Sequence, residues 1–437
     1  MLTTLKNAFK IKEIRKKIFF TLAMLVVIRI GSQLPVPGVD RTFFSTWFSE
    51  QMGDAFNFID AFTGGSFLNF SILALNITPY ITSSIIMQLL TIAIPKLEEM
   101  HKDGEDGRKK IASITRYVTV GLALVESTAM AISFGNQGLL QNPGNVLDII
   151  TVVAALTAGS AFLMWLGERI TENGVGNGIS IVLVINIISR VPQDMTQLFD
   201  LFVLNRTIPV GVINALIIMA IILGMVVLVI FLNSGVRKIP VQYAKKVQGR
   251  KMVGGQTSSI PLKVNTSGVI PIIFASSLLQ FPVVISSFFP AGTGVWSEIL
   301  KGLTSDNWFN PSQPIYSIGM VFYMVLVIFF AYFYTAITFN PLEVSENLKK
   351  QGGFIPGIRP GKPTSEYLNR ILNYIIFIGA SFLTLIGILP FIFNGLFGAN
   401  VSFGGTSLII IVSVILETIK QIESQMLVRN YKGFLND

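Results

Sequence analysis

Long apolar runs separated by short polar stretches dominate this chain, and their lengths set the expected elements. Runs close to the roughly 20 residues that a helix needs to cross a bilayer lie at 18–34, 71–94, 111–134, 146–166, 179–191, 208–232, 269–289, 315–339, 371–393 and 406–426. Ten spans are therefore expected, the fifth short and several interrupted by Gly, Asn or Pro. The run at 71–94 is the most informative. Thr63-Gly64-Gly65-Ser66-Phe67-Leu68-Asn69-Phe70 precedes it as weakly polar, glycine-loosened sequence, and Asn76 and Pro79 fall inside it. Lipid offers no hydrogen-bond partners, so such residues must face protein or water. A broken span with this preface reads as the lining of a pathway rather than an anchor, and points to transport.

Composition agrees. Of 437 residues, 51% are hydrophobic and 13% charged, with a mean hydropathy of +0.64; soluble domains carry about 25% charged residues. Lys and Arg gather in the N-terminal segment, in the stretches after spans two, four, six and eight, and at the C-terminus. The opposite loops hold Arg41, Arg190, Arg206 and Lys301, and Arg29 lies near the outer end of span one. The positive-inside rule then makes both termini cytoplasmic. The net charge of +9 belongs to one face, where anionic lipid, RNA or an acidic protein surface can meet it.

The expected organisation is a cytoplasmic amphipathic N-terminal helix at 1–17, a first half at 18–199 with spans one to five, a second half at 200–426 with spans six to ten, and a cytoplasmic tail at 427–437. The basic start is no secretory signal: the apolar run that follows exceeds the 7–15 residues of a signal core, and Gly31-Ser32-Gln33-Leu34-Pro35 is a poor cleavage site. Five spans per half place the second half upside down relative to the first, as in many transport folds. The long loops 233–267 and 340–370, rich in Gly, Pro and basic residues, are expected to project as hairpins or tips. Alternating Val241 and Tyr243, with Gly254-Gly255 before Ile260-Pro261-Leu262, favours an ordered hairpin in the first of them.

Catalytic chemistry finds little footing. Cysteine is absent and His101 is the one histidine, which excludes thiolate sites and histidine clusters. Gly174-Val175-Gly176-Asn177-Gly178 lacks the strand and lysine of a phosphate loop. No cofactor or metal is expected, and the chain reads as no enzyme. An ion-coupled small-solute carrier would share the span count, but carriers place ionisable groups in the membrane core. Here Glu126 stands in span three, while Arg29, Asp148 and Glu417 lie near span ends. An intramembrane enzyme would need a serine–histidine or paired-aspartate set within the spans, and none is present in the sequence.

Four stretches carry a resemblance: 70–90, 165–180 with its Gly174–Gly178 turn, the Arg237-Lys238-Ile239-Pro240-Val241-Gln242-Tyr243-Ala244-Lys245-Lys246 loop, and the Pro356-Gly357-Ile358-Arg359-Pro360-Gly361 tip. All four resemble the SecY/Sec61-alpha family, in the expected order, and the resemblance covers essentially the whole chain. It departs at Asn76, where the family usually has glycine. The resemblance implies an all-α membrane protein of ten transmembrane helices, in two inverted five-helix halves around an hourglass pore with a short plug helix. It implies a bacterial plasma-membrane channel that passes unfolded secretory proteins and releases signal sequences and membrane segments sideways into lipid.

Residue by residue, the resemblance implies a pore ring at Ile77, Ile81, Ile179, Leu183, Ile187, Ile273 and Ile410. An apolar constriction suits such a role, because it resists wetting and ion entry. The plug is expected at 57–70, with Phe62, Gly64, Gly65, Phe67 and Leu68, and a lateral gate at Gln88, Asn265, Ser277 and Phe281. Partner docking falls on Arg237, Lys238, Lys245, Lys246, Arg250, Lys251 and Arg359. The implied partners are SecE, SecG, the SecA motor ATPase, the ribosome through its RNA and proteins, signal peptides, translocating polypeptides and anionic lipids.

Overall fold

The computed structural model describes residues 6, 8–39, 44, 46, 63–140, 145–204, 208–243, 246–248, 251–253, 257–287, 294–304, 308–309, 313–397 and 405–433. Each expected span has a helix. In order these are α1 (Lys12–Gly31), α2 (Thr78–Ala93) continued by α3 (Pro95–Lys102), α4 (Glu105–Asn136), α5 (Val146–Asn173), α6 (Gly178–Phe199) and α7 (Ile208–Ser234). The strands β1 (Val236–Tyr243), β2 (Lys246–Gln248), β3 (Lys251–Val253) and β4 (Thr257–Lys263) follow. Then come α8 (Ile270–Ser287), α9 (Val295–Leu303), α10 (Ser317–Thr338), α11 (Pro341–Lys350), β5 (Gly353–Phe354), α12 (Lys362–Phe397) and α13 (Gly405–Gly433).

Among the described residues, six helices meet the length and apolarity needed to cross a membrane on their own, and the bent pair α2 and α3 makes a seventh. The bend is 102°, at Ile94, where Pro95 removes the amide that would continue the helix. Helix α1 falls outside that group because Arg15, Lys16, Lys17 and Arg29 lie along it. The outward face of α7, with Leu216, Met219, Leu223, Val227 and Phe231 exposed, is the apolar surface that a bilayer helix presents.

Two differences from the hydropathy reading bear on the site. Helix α2 starts at Thr78, not at residue 71, because residues 72–77 are turns that Asn76 and Pro79 hold out of helical register. Span five continues to Phe199 through Pro192 and passes into a π turn at Asp200–Leu204, so it is longer than its apolar run. At the N-terminus, a bend at Ile11 separates helical residues 8–10 from α1.

Much of the packing is local to each half, and α13 bridges them, with Ile422 buried against Ile14 and Val175. In the first, Val36, Phe44, Phe67, Phe70, Phe134, Val152 and Leu156 share a core. In the second, Val229, Ile272, Tyr323, Leu383 and Ile409 do so. Gly159 lets α5 lie against the backbone of Ile72, where any Cβ would overlap the carbonyl oxygen. Helix α6 packs on α13 through Val184, Ile187, Ile410 and Val414, and this joins the halves.

The loop expected to hold a hairpin does. Strand β1 pairs antiparallel with β4 in the register Ile239↔Ile260 and Val241↔Ser258. Strand β5 adds to the other edge of β1, Gln242 opposite Phe354. Ile239, Val241 and Leu262 turn one face of the hairpin onto Leu348, Ile355 and Leu368. The two long loops are thus one polar projection with its own small core.

Candidate functional site

The broken start of α2 is where the structure concentrates irregular backbone. Residues 64–70 are turns, with helical geometry at Thr63, so the described part of the expected plug is not a helix; Phe62 and the rest of 57–62 lie outside the described residues. Thr63 Oγ1 accepts a 3.2 Å hydrogen bond from the Phe67 amide. Phe67 and Leu68 pack among Phe70, Phe134 and Leu156. Gly65 is half-buried. Gly64, at φ +67, sits so close to α6 that an added Cβ would lie 2.7 Å from the Asn186 carbonyl oxygen. Its own carbonyl accepts Arg29 Nη1 at 3.2 Å and Ser189 Oγ at 3.3 Å.

Asn76 adopts φ +53, the left-handed region that glycine enters freely and asparagine tolerates best among the others. That backbone explains why the departure from glycine falls on asparagine. The residue is 1% exposed. Its carbonyl accepts Ser160 Oγ at 3.2 Å, and its side-chain Oδ1 accepts Asn186 Nδ2 at 2.9 Å. Pro79 then opens α2 within its first turn, where no amide proton is needed.

The aliphatic side chains expected to form a ring fall into two packed groups. Ile77 and Leu183 are buried together, with Ile81 and Ile179 against them. Ile187 and Ile410 are buried in the second group, with Ile273 against them. Ile181 packs on both. Asn177 starts this face of α6 as its N-cap, its Oδ1 accepting the amides of Ile179 and Ser180, the usual role of asparagine at a helix start.

Beside the groups lies a cavity of about 490 Å³, lined by Ile81, Ile179, Ile273, Tyr80, Gln88, Phe274, Tyr334 and the pair Arg116 and Glu168. Arg116 Nε meets Glu168 Oε1 at 2.7 Å, tying α4 to α5 at the cavity wall. Part of its lining is branched hydrocarbon and part is polar or charged.

The residues expected at the gate have separate surroundings. Gln88 is exposed on the cavity wall. Asn265 is buried and donates to Asn233 Oδ1 at 2.9 Å, and Asn233 donates to Ser413 Oγ at 2.9 Å. Asn265 is therefore tied to α7 and, through Asn233, to α13. Ser277 is half-buried on α8, and the Phe281 side chain lies outside the described residues.

On the projection, Arg237 and Lys238 are exposed on β1. Lys246 and Lys251 pair as the ends of β2 and β3 through Val253 and Gln248 respectively; their side chains, with all of Lys245 and Arg250, lie outside the described residues. Arg359 is exposed on a turn that is clamped from within. Its carbonyl accepts Thr364 Oγ1 at 2.8 Å, the next glycine, Gly361, accepts Ser345 Oγ at 2.7 Å, and Ile355 anchors the turn in the hairpin core. Sequence reasoning missed Asn186, Ser160, Ser189 and the Arg116–Glu168 pair. The signal for Asn186 was available, an amide within an apolar run beside a ring candidate.

Comparison with known proteins sharpens the reading. The SecY family model matches residues 71–419. A protein translocase subunit SecY from Halalkalibacterium halodurans is 45% identical over 446 residues, covering all of both chains. Among solved structures, one of a SecY protein described for a plug domain that stabilises the closed channel superposes with a TM-score of 0.62 at 19% identity, covering 97% of each chain. Sec61 from a canine ribosome-channel complex of the endoplasmic reticulum superposes at 0.59 and 19%, with the same coverage.

Proposed function

This chain belongs to the SecY family, and from that membership we propose that it is the pore subunit of a protein translocase, with the aliphatic groups around Ile77 and Ile187 as its constriction. The observation that carries the reading is the junction of those groups with the cavity. Ile81, Ile179 and Ile273 belong to both, so the cavity ends on hydrocarbon. Branched side chains exclude hydrated ions yet part around a peptide, because they offer it no strong bond. The segment at 63–70 seats against α6 and acts as the plug. Gln88, Ser277 and Phe281 line the seam through which apolar segments leave, with Asn265 bracing α7, α8 and α13 behind it.

The mechanism needs no chemistry in the pore. A partner drives the chain, and the exposed Arg237, Lys238 and Arg359, with Lys245, Lys246, Arg250 and Lys251 of the same loop as Arg237, form its dock. A guanidinium on a stiff turn suits bidentate pairing with carboxylate or phosphate, which fits both the SecA motor and ribosomal RNA. SecE and SecG complete the membrane complex, and exposed apolar faces such as that of α7 give lipid and partner helices their surface. Both termini are cytoplasmic in the bacterial plasma membrane, where exposed Lys10, Lys12, Arg15 and Lys16 meet anionic lipid.

Photocrosslinkers at Ile77, Leu183, Ile273 and Ile410, tested against a stalled secretory chain, examine the reading directly. All four should label the chain, and lipid-facing probes on α7 should not. Labelling of lipid alone from the four would place the conduit elsewhere.

A further inference from the structure

We infer that the Asn76–Asn186 amide pair is a positioning latch that makes dilation of the constriction and release of the 63–70 segment a single event. The inference rests on the pore reading above and goes beyond it, to two asparagines with no part in lining a pore.

Four observations converge on one turn of α6. Asn186 Nδ2 donates to Asn76 Oδ1 at 2.9 Å, with both residues buried. The backbone of the same Asn186 packs on Gly64 closely enough to exclude a Cβ. Ser189, one turn on, donates to both the Asn186 carbonyl at 2.6 Å and the Gly64 carbonyl at 3.3 Å. And each asparagine directly precedes a constriction residue, Asn76 before Ile77 and Asn186 before Ile187. If Ile77 and Ile187 move apart, the amide pair must break, and the α6 turn that seats Gly64 moves with it. Neither ring nor segment can open first at no cost.

The latch is shallow by construction. Asn186 Oδ1 is buried with no partner among the described residues, so the folded state already carries an unsatisfied acceptor. Hydrogen bonds between membrane helices average roughly 0.6 kcal/mol. A bond of that size biases the idle channel toward closure without obstructing an arriving client.

The test uses the complete membrane complex in planar bilayers and proteoliposomes. Because the chain has no cysteine, Leu68→Cys gives one reporter for a membrane-impermeant maleimide added from the outer side. Asn76→Gly, which retains access to positive φ, and Asn186→Ala should each raise both idle conductance and labelling rate by about threefold, the factor that roughly 0.6 kcal/mol sets. The double variant should exceed neither single one. Unchanged readouts in both single variants, conductance and labelling that move separately, or a double variant equal to the product of the singles would each overturn the latch. Should Asn186→Ala fail to assemble, Ser189→Ala must raise the labelling rate, and no change would count against the proposal. Wild-type complex jammed with a stalled secretory chain is the independent arm. If photocrosslinkers at Ile77 and Ile187 fail to label that stalled chain, the pore reading falls, while the labelling results still judge the amide pair.

Discussion

Around Ile77 and Ile187 the chain is held by aliphatic packing and a few buried hydrogen bonds between helices far apart in sequence. Around Arg359 it is held by an antiparallel hairpin, a dedicated core and two hydroxyl clamps, on the carbonyls of Arg359 and Gly361. Dispersion contacts re-form after sliding, whereas a strand ladder and its side-chain clamps have one geometry. The difference teaches where this protein tolerates motion. The membrane region is assembled from contacts that can be exchanged for others of the same kind. The polar projection is assembled to keep one charge in one place.

The sharpest break of that contrast is Arg359→Glu. Reversing the charge leaves the turn intact, since only the backbone of residue 359 is clamped. Truncating one partner of a docked charge pair costs about 2–5 kcal/mol, so motor-driven import of a secretory precursor into proteoliposomes should fall by about 30-fold or more. Thermal unfolding should stay unchanged. Normal import by this variant would remove Arg359 from docking.

On the other side of the comparison, Ile77→Gly combined with Ile187→Gly should raise idle ion leak by about tenfold while motor binding is retained. Each substitution removes a fully buried side chain, and water enters a constriction that loses its hydrocarbon. Conductance of the empty complex in planar bilayers is the measurement. A leak that stays at the wild-type level would mean that the seal lies elsewhere, and the contrast between the two regions would shrink.

Much of this was legible in the sequence. Ten apolar runs gave helices at their places, and the alternation of Val241 and Tyr243 marked a strand that is buried on one side. The irregular stretch at 63–77 was legible as irregular, because Gly64, Gly65, Asn76 and Pro79 all oppose a helix there. Its shape was not: turns at 64–70 depend on Arg29 and Ser189 reaching the Gly64 carbonyl from 35 and 125 residues away, and periodicity carries no record of such contacts. The placement of Asn265 failed to show for the same reason. Its partners, Asn233 and, through it, Ser413, sit on separate helices. Nor could spacing reveal that the two long loops share one core, since β5 reaches β1 from more than a hundred positions along the chain.

Stiffness of the projection can be tested apart from its charge. Thr364→Val removes the hydroxyl that holds the Arg359 carbonyl and leaves the guanidinium in place. A hydrogen bond contributes roughly 1 kcal/mol, so import should drop by about fivefold, well short of the charge reversal. If import is unaffected while Arg359→Glu abolishes it, the charge matters and its rigid presentation does not.

A third region, between α8 and α10, supplies the control and the smallest effect. Tyr316 donates to Glu298 Oε2 at 2.6 Å, and Lys301 reaches Glu298 Oε1 at 3.0 Å. The hydrogen bond from Tyr316, then that from Lys301 and its charge, hold the Glu298 carboxyl below its ordinary range. A group whose pKa is lowered on folding contributes stability above its unfolded pKa and loses it as pH falls through the folded one. Thermal stability of the wild-type complex should therefore weaken on acidification through the carboxylate range. Tyr316→Phe removes the larger cause, so part of that acid-side decline should disappear, with import and idle conductance unchanged. Glu298 and Lys301 are exposed, so solvent screens the pair and the shift should be the smallest of the set. An altered leak in Tyr316→Phe would connect this outer cluster to the constriction, and the pathway could no longer be treated as separable from the loop that borders it.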